Sequence, residues 1–89
     1  MTTFNLVIAS PDGNLFNDEA VDISLRGIEG DLAVMAGHVP FATSVKKCDV
    51  YVTLPDESEK IGHTKGGLLT VSEEKVSLLS GSFKWEKYE

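Results

Sequence analysis

The residues able to do chemistry in this chain are few and widely spaced. Cys48, His38 and His63 lie 10 and 15 residues apart along the sequence, whereas a zinc site needs three or four ligands at close spacing. No metal is implied. Cys48 reads as a small buried residue, a role free cysteines commonly take, and as the single cysteine it has no partner for an internal disulfide, which fits a reducing compartment. Asp18-Glu19, Asp56-Glu57-Ser58-Glu59 and Glu73-Glu74 could supply paired carboxylates for acid and base work, or calcium ligands. Each falls at a turn or strand edge where nothing desolvates it, so all three read as solvated acids. Serine, histidine and aspartate are all present, but no nucleophile elbow of the G-x-S-x-G type accompanies them. Neither G-x-x-x-x-G-K-[ST] nor G-x-G-x-x-G occurs, and Gly66-Gly67 alone is a weak signal for a phosphate nest. The chain therefore reads as non-enzymatic, with no cofactor and no bound ATP. His38 is less bland than His63. It lies between Gly37 and Pro40 beside the Gly-rich stretch 27–31, either capping local backbone groups or touching a partner.

These residues need a scaffold, and 89 residues allow one small domain spanning 1–89. The chain carries 8 Lys and Arg against 14 Asp and Glu, a formal charge of −6 on a 42% hydrophobic composition. Such an acidic surface repels phosphate backbones, and no basic stripe interleaved with aromatics offsets it, so nucleic acid is excluded as a partner. The longest apolar stretches, Leu6 to Ala9 and Leu32 to Ala36, fall far short of the ~20 residues a spanning helix needs. Direct membrane insertion is not expected. The opening Met-Thr-Thr-Phe-Asn has no cationic n-region, so the chain is expected to begin directly with structure and to stay in the cytoplasm.

The hydrophobic pattern has period two almost throughout, and no window of period 3.6 supports a helix of three turns. Phe4, Leu6 and Ile8 alternate up to a turn at 10–14, and residues 19 to 26 place Val21, Ile23 and Leu25 on one face. After the Gly27–Asp31 turn comes a strand at Leu32 to Met35, then a break at Gly37-His-Val-Pro40. Short strands follow at 41–45, at 48–53 with its return arm at 60–64, and at 68–72 and 76–80, before a last extended stretch carrying Phe83 and Trp85. Short strands at this spacing indicate an all-β sandwich or barrel. The core is expected from Leu6, Ile8, Val21, Ile23, Leu25, Leu32, Val34, Val50, Leu69, Val71, Val76 and Leu78.

At Gly27-Ile-Glu-Gly-Asp-Leu-Ala-Val-Met-Ala-Gly-His-Val-Pro40 the sequence resembles the epsilon subunit of the F-type ATP synthase: an acidic Gly-rich loop, a short apolar strand, then Gly-His-x-Pro. A Ser-Pro-Asp-Gly turn with Phe16 after the first strand, Gly66-Gly67-Leu-Leu-Thr-Val71 and Lys75-Val-Ser-Leu-Leu79 agree in order, so the likeness spans nearly the whole chain. It implies a flattened β-sandwich of about ten short strands acting as a non-catalytic rotor subunit of the central stalk, on the cytoplasmic face of an energy-transducing membrane. Its partners would be the gamma subunit and the c ring. Ser10, His38 and Thr43 match gamma-facing positions, and Glu29, Gly30 and Asp31 match the loop that meets the c ring. In most of the family two alanine-rich helices follow; here Phe83, Lys84, Trp85 and Tyr88 stand at the end instead, so no C-terminal helical hairpin is expected. A free-standing β-sandwich that serves an unrelated partner is the alternative, since fold alone does not fix function.

Overall fold

A computed structural model describes residues 2–37 and 39–86, and its regular elements are all strands. They are β1 (Phe4–Ser10), β2 (Gly13–Ala20), β3 (Asp22–Gly27), β4 (Gly30–Met35), β5 (Phe41–Thr53), β6 (Glu59–Val71), β7 (Lys75–Leu79) and β8 (Lys84–Trp85). Hydrogen bonds order them β2-β1-β7-β6-β5-β3-β4, with β8 beside β6. All pairings are antiparallel except β1 with β7.

The nine stretches read from the sequence become eight strands, because two pairs are continuous and β2 is added. β5 runs through both 41–45 and 48–53, and β6 through both 60–64 and 68–71. Their first and second halves serve different layers. The segment Leu68–Val71 of β6 pairs with β7, whereas Gly62 and His63 pair with β8. On β5, Tyr51, Val52 and Thr53 pair with β3, whose end at Gly27 also meets Val45 near the corner. One layer is thus β2-β1-β7 with the corner-to-end half of β6 and the start of β5; the other is β4-β3 with the end of β5, the start of β6, and β8.

At the corner the inward phase changes on both long strands. Phe41, Thr43 and Val45 share a side with Leu69 and Val71, but Val50 and Val52 share one with Gly62 and Thr64. Along β5 odd numbers give way to even, so Lys46 and Lys47 are both exposed, and along β6 even gives way to odd. A simple alternation template breaks there, which is why the sequence reads as separate strands. Gly66, at φ 140°, accommodates the bend on β6. Its neighbour Gly67 packs so closely that a Cβ would lie 2.3 Å from the Leu79 carbonyl oxygen. Buried hydroxyls complete the corner: Thr64 Oγ1 and Ser80 Oγ are 2.7 Å apart, and both donate to the Gly66 carbonyl at 3.0 and 2.9 Å. The backbone groups freed by the bend are therefore satisfied internally.

Both layers enclose one core, in which Leu6, Ile8, Ile23, Val34, Val50, Val52, Leu69 and Leu78 are fully buried. Ten of the expected core residues are buried, while Val21 and Leu32 are only half-buried. The slip at Val21 has a local cause: β2 ends at Ala20, which is fully buried, and β3 begins at Asp22, so the stretch 19–26 is two strands rather than one. β2 escaped the period-two test because it is an edge strand, exposed at nearly every position from Gly13 to Glu19. The register of β1 and β2 shifts between Ile8 and Ala9, leaving Leu15 unpaired. Its carbonyl accepts the indole N–H of Trp85 at 3.3 Å. Trp85 also packs edge-on to Phe16 and Phe83, with Lys60 over its ring. This one side chain ties β8 to the edge of the opposite layer.

Candidate interaction surfaces

In an antiparallel ladder, directly opposed residues point to the same side, so the registers define each outer face. The first layer presents two rungs without a single charge. One runs Ala42, Thr70, Ser77, Val7, Asn17; the other runs Ser44, Leu68, Leu79, Ala9, Asn14. Leu68 and Leu79 oppose each other at 43% and 49% exposure. Large apolar side chains side by side in water, ringed by small and hydroxyl groups, are the composition of a contact surface rather than of a solvated face.

The second layer is its opposite. Its outer rungs carry Met35, Asp22, Thr53 and Glu59, then Ala33, Ser24, Tyr51 and Ile61, with Asp31 beside Arg26 and with Asp49, His63 and Lys84 in line. An open groove crosses this face. On its floor the Cys48 thiol accepts the Arg26 N–H at 3.4 Å, where the β3–β5 register shifts between Ser24 and Gly27. The cysteine is therefore half-buried filler that also satisfies a backbone donor freed by the shift. His63 Nδ1 lies 2.7 Å from Asp49 Oδ1 and its Nε2 3.1 Å from Glu86 Oε1. These contacts hold the imidazole pKa above its ordinary value, chiefly through the Asp49 hydrogen bond and against some desolvation. Sequence spacing concealed the cluster. Asp49 and His63 meet only because the 54–58 turn fixes the β5–β6 register, which is the one signal that could have paired them.

The Gly27–Asp31 stretch is a two-residue hairpin loop, with Gly27 opposite Gly30 and the Ile28 N–H donating to the Ser44 carbonyl at 3.1 Å. Gly30 takes φ 127°, which disfavours any side chain there, and a Cβ on Gly27 would sit 2.9 Å from Leu32 Cδ2. The two acids of this loop have different fates. Arg26 Nε donates to Asp31 Oδ1 at 2.8 Å, and that bond raises the guanidinium pKa further. Glu29 is exposed beside Ile28, itself 55% exposed.

The other sequence-selected residues do not form one cluster. Ser10 ends β1, where its hydroxyl accepts the Asp12 N–H at 3.2 Å and faces the Gly13 carbonyl at 3.4 Å. Thr43 is half-buried on the inward side of β5, opposite Leu69, and donates to the Ser44 carbonyl at 3.3 Å. β7 and β6 lie between their strands. His38 lies outside the described residues. Among the described residues, no group of three or more His, Cys, Asp or Glu side chains is placed to hold a metal ion, and no helix is long and apolar enough to cross a membrane.

Fold and surfaces together define a small β-sandwich whose specialised features are outward-facing sheets and one tight acidic loop. The chain belongs to the family of the ATP synthase delta/epsilon chain β-sandwich domain, whose model matches residues 3–86. It is 34% identical over 83 residues to the sodium ion specific ATP synthase epsilon chain of Acetobacterium woodii, covering 93% of this chain and 62% of that protein. Among solved structures, a chain of the Euglena gracilis mitochondrial ATP synthase superposes with a TM-score of 0.89 at 17% identity, covering 96% of this chain and 54% of the other. A chain from the central stalk and c-ring structure of the Tetrahymena thermophila mitochondrial ATP synthase gives 0.77 at 10% identity, covering 93% and 66%. Those two likenesses carry the fold. The chain spans less than two thirds of the length of the Acetobacterium and Euglena proteins it matches.

Proposed function

We propose that this chain works as a non-catalytic rotor subunit in the central stalk of an F-type proton-translocating ATP synthase, joining the gamma subunit to the c ring and helping to couple proton flow to ATP synthesis. The observation that carries this reading is the family match over residues 3–86. The central-stalk and c-ring origin of one structural neighbour supports the location. The chain itself would bind no ATP and insert no segment into the bilayer, sitting peripherally on the cytoplasmic side of the energy-transducing membrane.

The surfaces divide the work. The two uncharged rungs of the first layer, bordered by Lys75 and Glu19 on the rung through Asn5, suit the gamma subunit, because their apolar centre loses little on desolvation. Ser10 and Thr43 then mark two sides of that contact: Ser10 through the rigid turn its hydroxyl organises, Thr43 through its neighbours Ala42 and Ser44, which face outward. His38, outside the described residues, is proposed as a further gamma contact. At the other site, Glu29, Gly30 and Asp31 meet the polar loops of the c ring. With Asp31 held by Arg26, Glu29 is the acid free among the described residues to meet an arginine from outside.

Co-purification with a gamma subunit tests the assignment. A stoichiometric complex that survives gel filtration is expected, and Leu68→Glu should break it. A chain that stays monomeric in the presence of folded gamma subunit would sink the proposal. Calorimetry with ATP should give no saturable heat.

A further inference from the structure

Strand β8 is only two residues long and pairs with β6 at just two rungs, Gly62 with Trp85 and His63 with Lys84. It is anchored on one side by Trp85, whose indole reaches Leu15 and whose ring packs on Phe83. Past the tryptophan, the Glu86 N–H donates to the Ile61 carbonyl at 2.8 Å, and the Glu86 side chain meets His63. His63 sits between two carboxylates, Asp49 at Nδ1 and Glu86 at Nε2.

This geometry favours one protonation state. An ionised carboxylate only accepts hydrogen bonds, so both ring nitrogens must donate. A neutral imidazole has one N–H and one lone pair, and in either tautomer one carboxylate would face that lone pair. We propose that His63 is a protonation-operated clasp that fastens the end of β8 to the β5–β6 ladder: closed as the imidazolium and bridging Asp49 to Glu86, open as the neutral ring.

The charged neighbours set how the clasp is biased. From β5 come Asp49 and Lys47, from β6 Lys65, from β8 Lys84 and then Glu86, and across the groove lies the Arg26–Asp31 pair. The two carboxylates in direct contact favour the cation, and the lysines oppose it from the groove rim. The folded-state pKa is raised, so the clasp is fully formed below the unfolded histidine pKa and is lost as pH rises through the folded value. His63 is half in water, with side-chain exposure of 46%, so each contact is of the strength of an exposed ion pair. The effect is local opening of β8, not unfolding.

Nuclear magnetic resonance of the full chain, titrated between about pH 5 and 9, reads the clasp directly. His63 should titrate above the ordinary histidine range. Asp49→Asn and Glu86→Gln should each lower its midpoint. Amide exchange at Glu86, corrected for its intrinsic pH dependence, should rise about two- to fivefold through the same midpoint, the span that an exposed ion pair supports. In His63→Gln that step should vanish while circular dichroism still reports a folded sandwich. A midpoint at the ordinary histidine value, unmoved by either carboxamide variant, would overturn the proposal. So would Glu86 exchange that ignores the His63 titration.

Discussion

The two outer faces of this sandwich are made by the same rule and look nothing alike. On the first layer, ten outward residues in two rungs include no charge and two leucines well exposed to water. On the second, Asp22, Arg26, Asp31, Asp49, His63, Glu59 and Lys84 face outward, and several are already paired with one another. Folding requires only that the inward set be apolar and the outward set tolerate water. A charged outer face satisfies that requirement, whereas the exposed Leu68–Leu79 pair at the centre of the uncharged rungs gains nothing from solvent. The contrast is why the proposed gamma-facing surface is put on the layer opposite the groove.

The difference stops at the backbone. Ile23 belongs to the charged layer and Leu69 to the uncharged one, and both are fully inaccessible within a single cluster. Each truncation to alanine should cost about 2–5 kcal/mol. Chemical denaturation followed by tryptophan fluorescence and by circular dichroism should give coincident transitions in both variants. A layer that melted separately would show that the faces rest on two cores. Such a loss is a large part of the stability a domain this small commands.

The corner that lets one sheet make two faces is the next place to press. Gly67→Ala drives a Cβ against the Leu79 carbonyl at 2.3 Å and the Ser80 Cβ at 3.1 Å, with backbone rather than a movable side chain in the way. Overpacking of this kind costs about 1–3 kcal/mol. Gly81→Ala is the control, because its nearest neighbour would be Pro11 Cδ at 4.0 Å, and the change should stay within about 0.5 kcal/mol. Thermal melting separates the two. Equal melting temperatures would mean the corner relaxes freely.

A third experiment bears on the faces themselves. Leu68→Glu puts a charge at the centre of the uncharged rungs, and Lys84→Glu reverses one on the other face. Both positions are exposed, so both variants should keep wild-type stability within about 0.5 kcal/mol. Binding to a gamma subunit should weaken about tenfold or more for Leu68→Glu, the loss expected of a desolvated central residue, and hardly at all for Lys84→Glu. The reverse pattern in surface plasmon resonance would exchange the roles of the two faces.

Much of this was legible in the sequence, and the failures have physical causes. Alternation found the inward residues of β1, β3, β6 and β7 because one side of each is buried. It missed β2, whose two sides are both wet, and split β5 and β6 where the inward phase switches at Lys46 and Lys47. The turn at 27–31 is legible from its glycines, but the sequence does not distinguish its two acids. Only the register that sets Arg26 opposite Asp31 shows that one of them is already paired. The pair of uncharged rungs was invisible for a related reason: it is assembled from five strands, and no single strand looks unusual.

The smallest effect concerns two turns that begin alike, one in each layer. Ser10-Pro11-Asp12-Gly13 closes β1 onto β2, and Leu54-Pro55-Asp56-Glu57 closes β5 onto β6. Proline presets the first corner residue in both. The first turn then meets its positive φ with glycine, at 133°, while the second places Glu57 at φ 71°. Around Glu57 the turn is well bonded. The Glu57 N–H donates to the Leu54 carbonyl at 2.9 Å, the Leu54 N–H to Ser58 at 2.8 Å, and the Asp56 carboxylate accepts from both the N–H and the hydroxyl of Ser58, which lowers its pKa. These bonds hold a residue in the left-handed region, where a side chain costs about 1–2 kcal/mol. Glycine removes that strain and adds an unfolded-state entropy cost of about 0.5–1 kcal/mol, so Glu57→Gly should stabilise the domain by roughly 0.5–1 kcal/mol. The exposed glutamate also adds charge to the layer that is already charged, so its removal tests whether that face tolerates losing an acid while the hairpin tightens. A melting temperature unchanged or lowered in Glu57→Gly would show that the Glu57 side chain, rather than the turn hydrogen bonds, holds β5 and β6 in register.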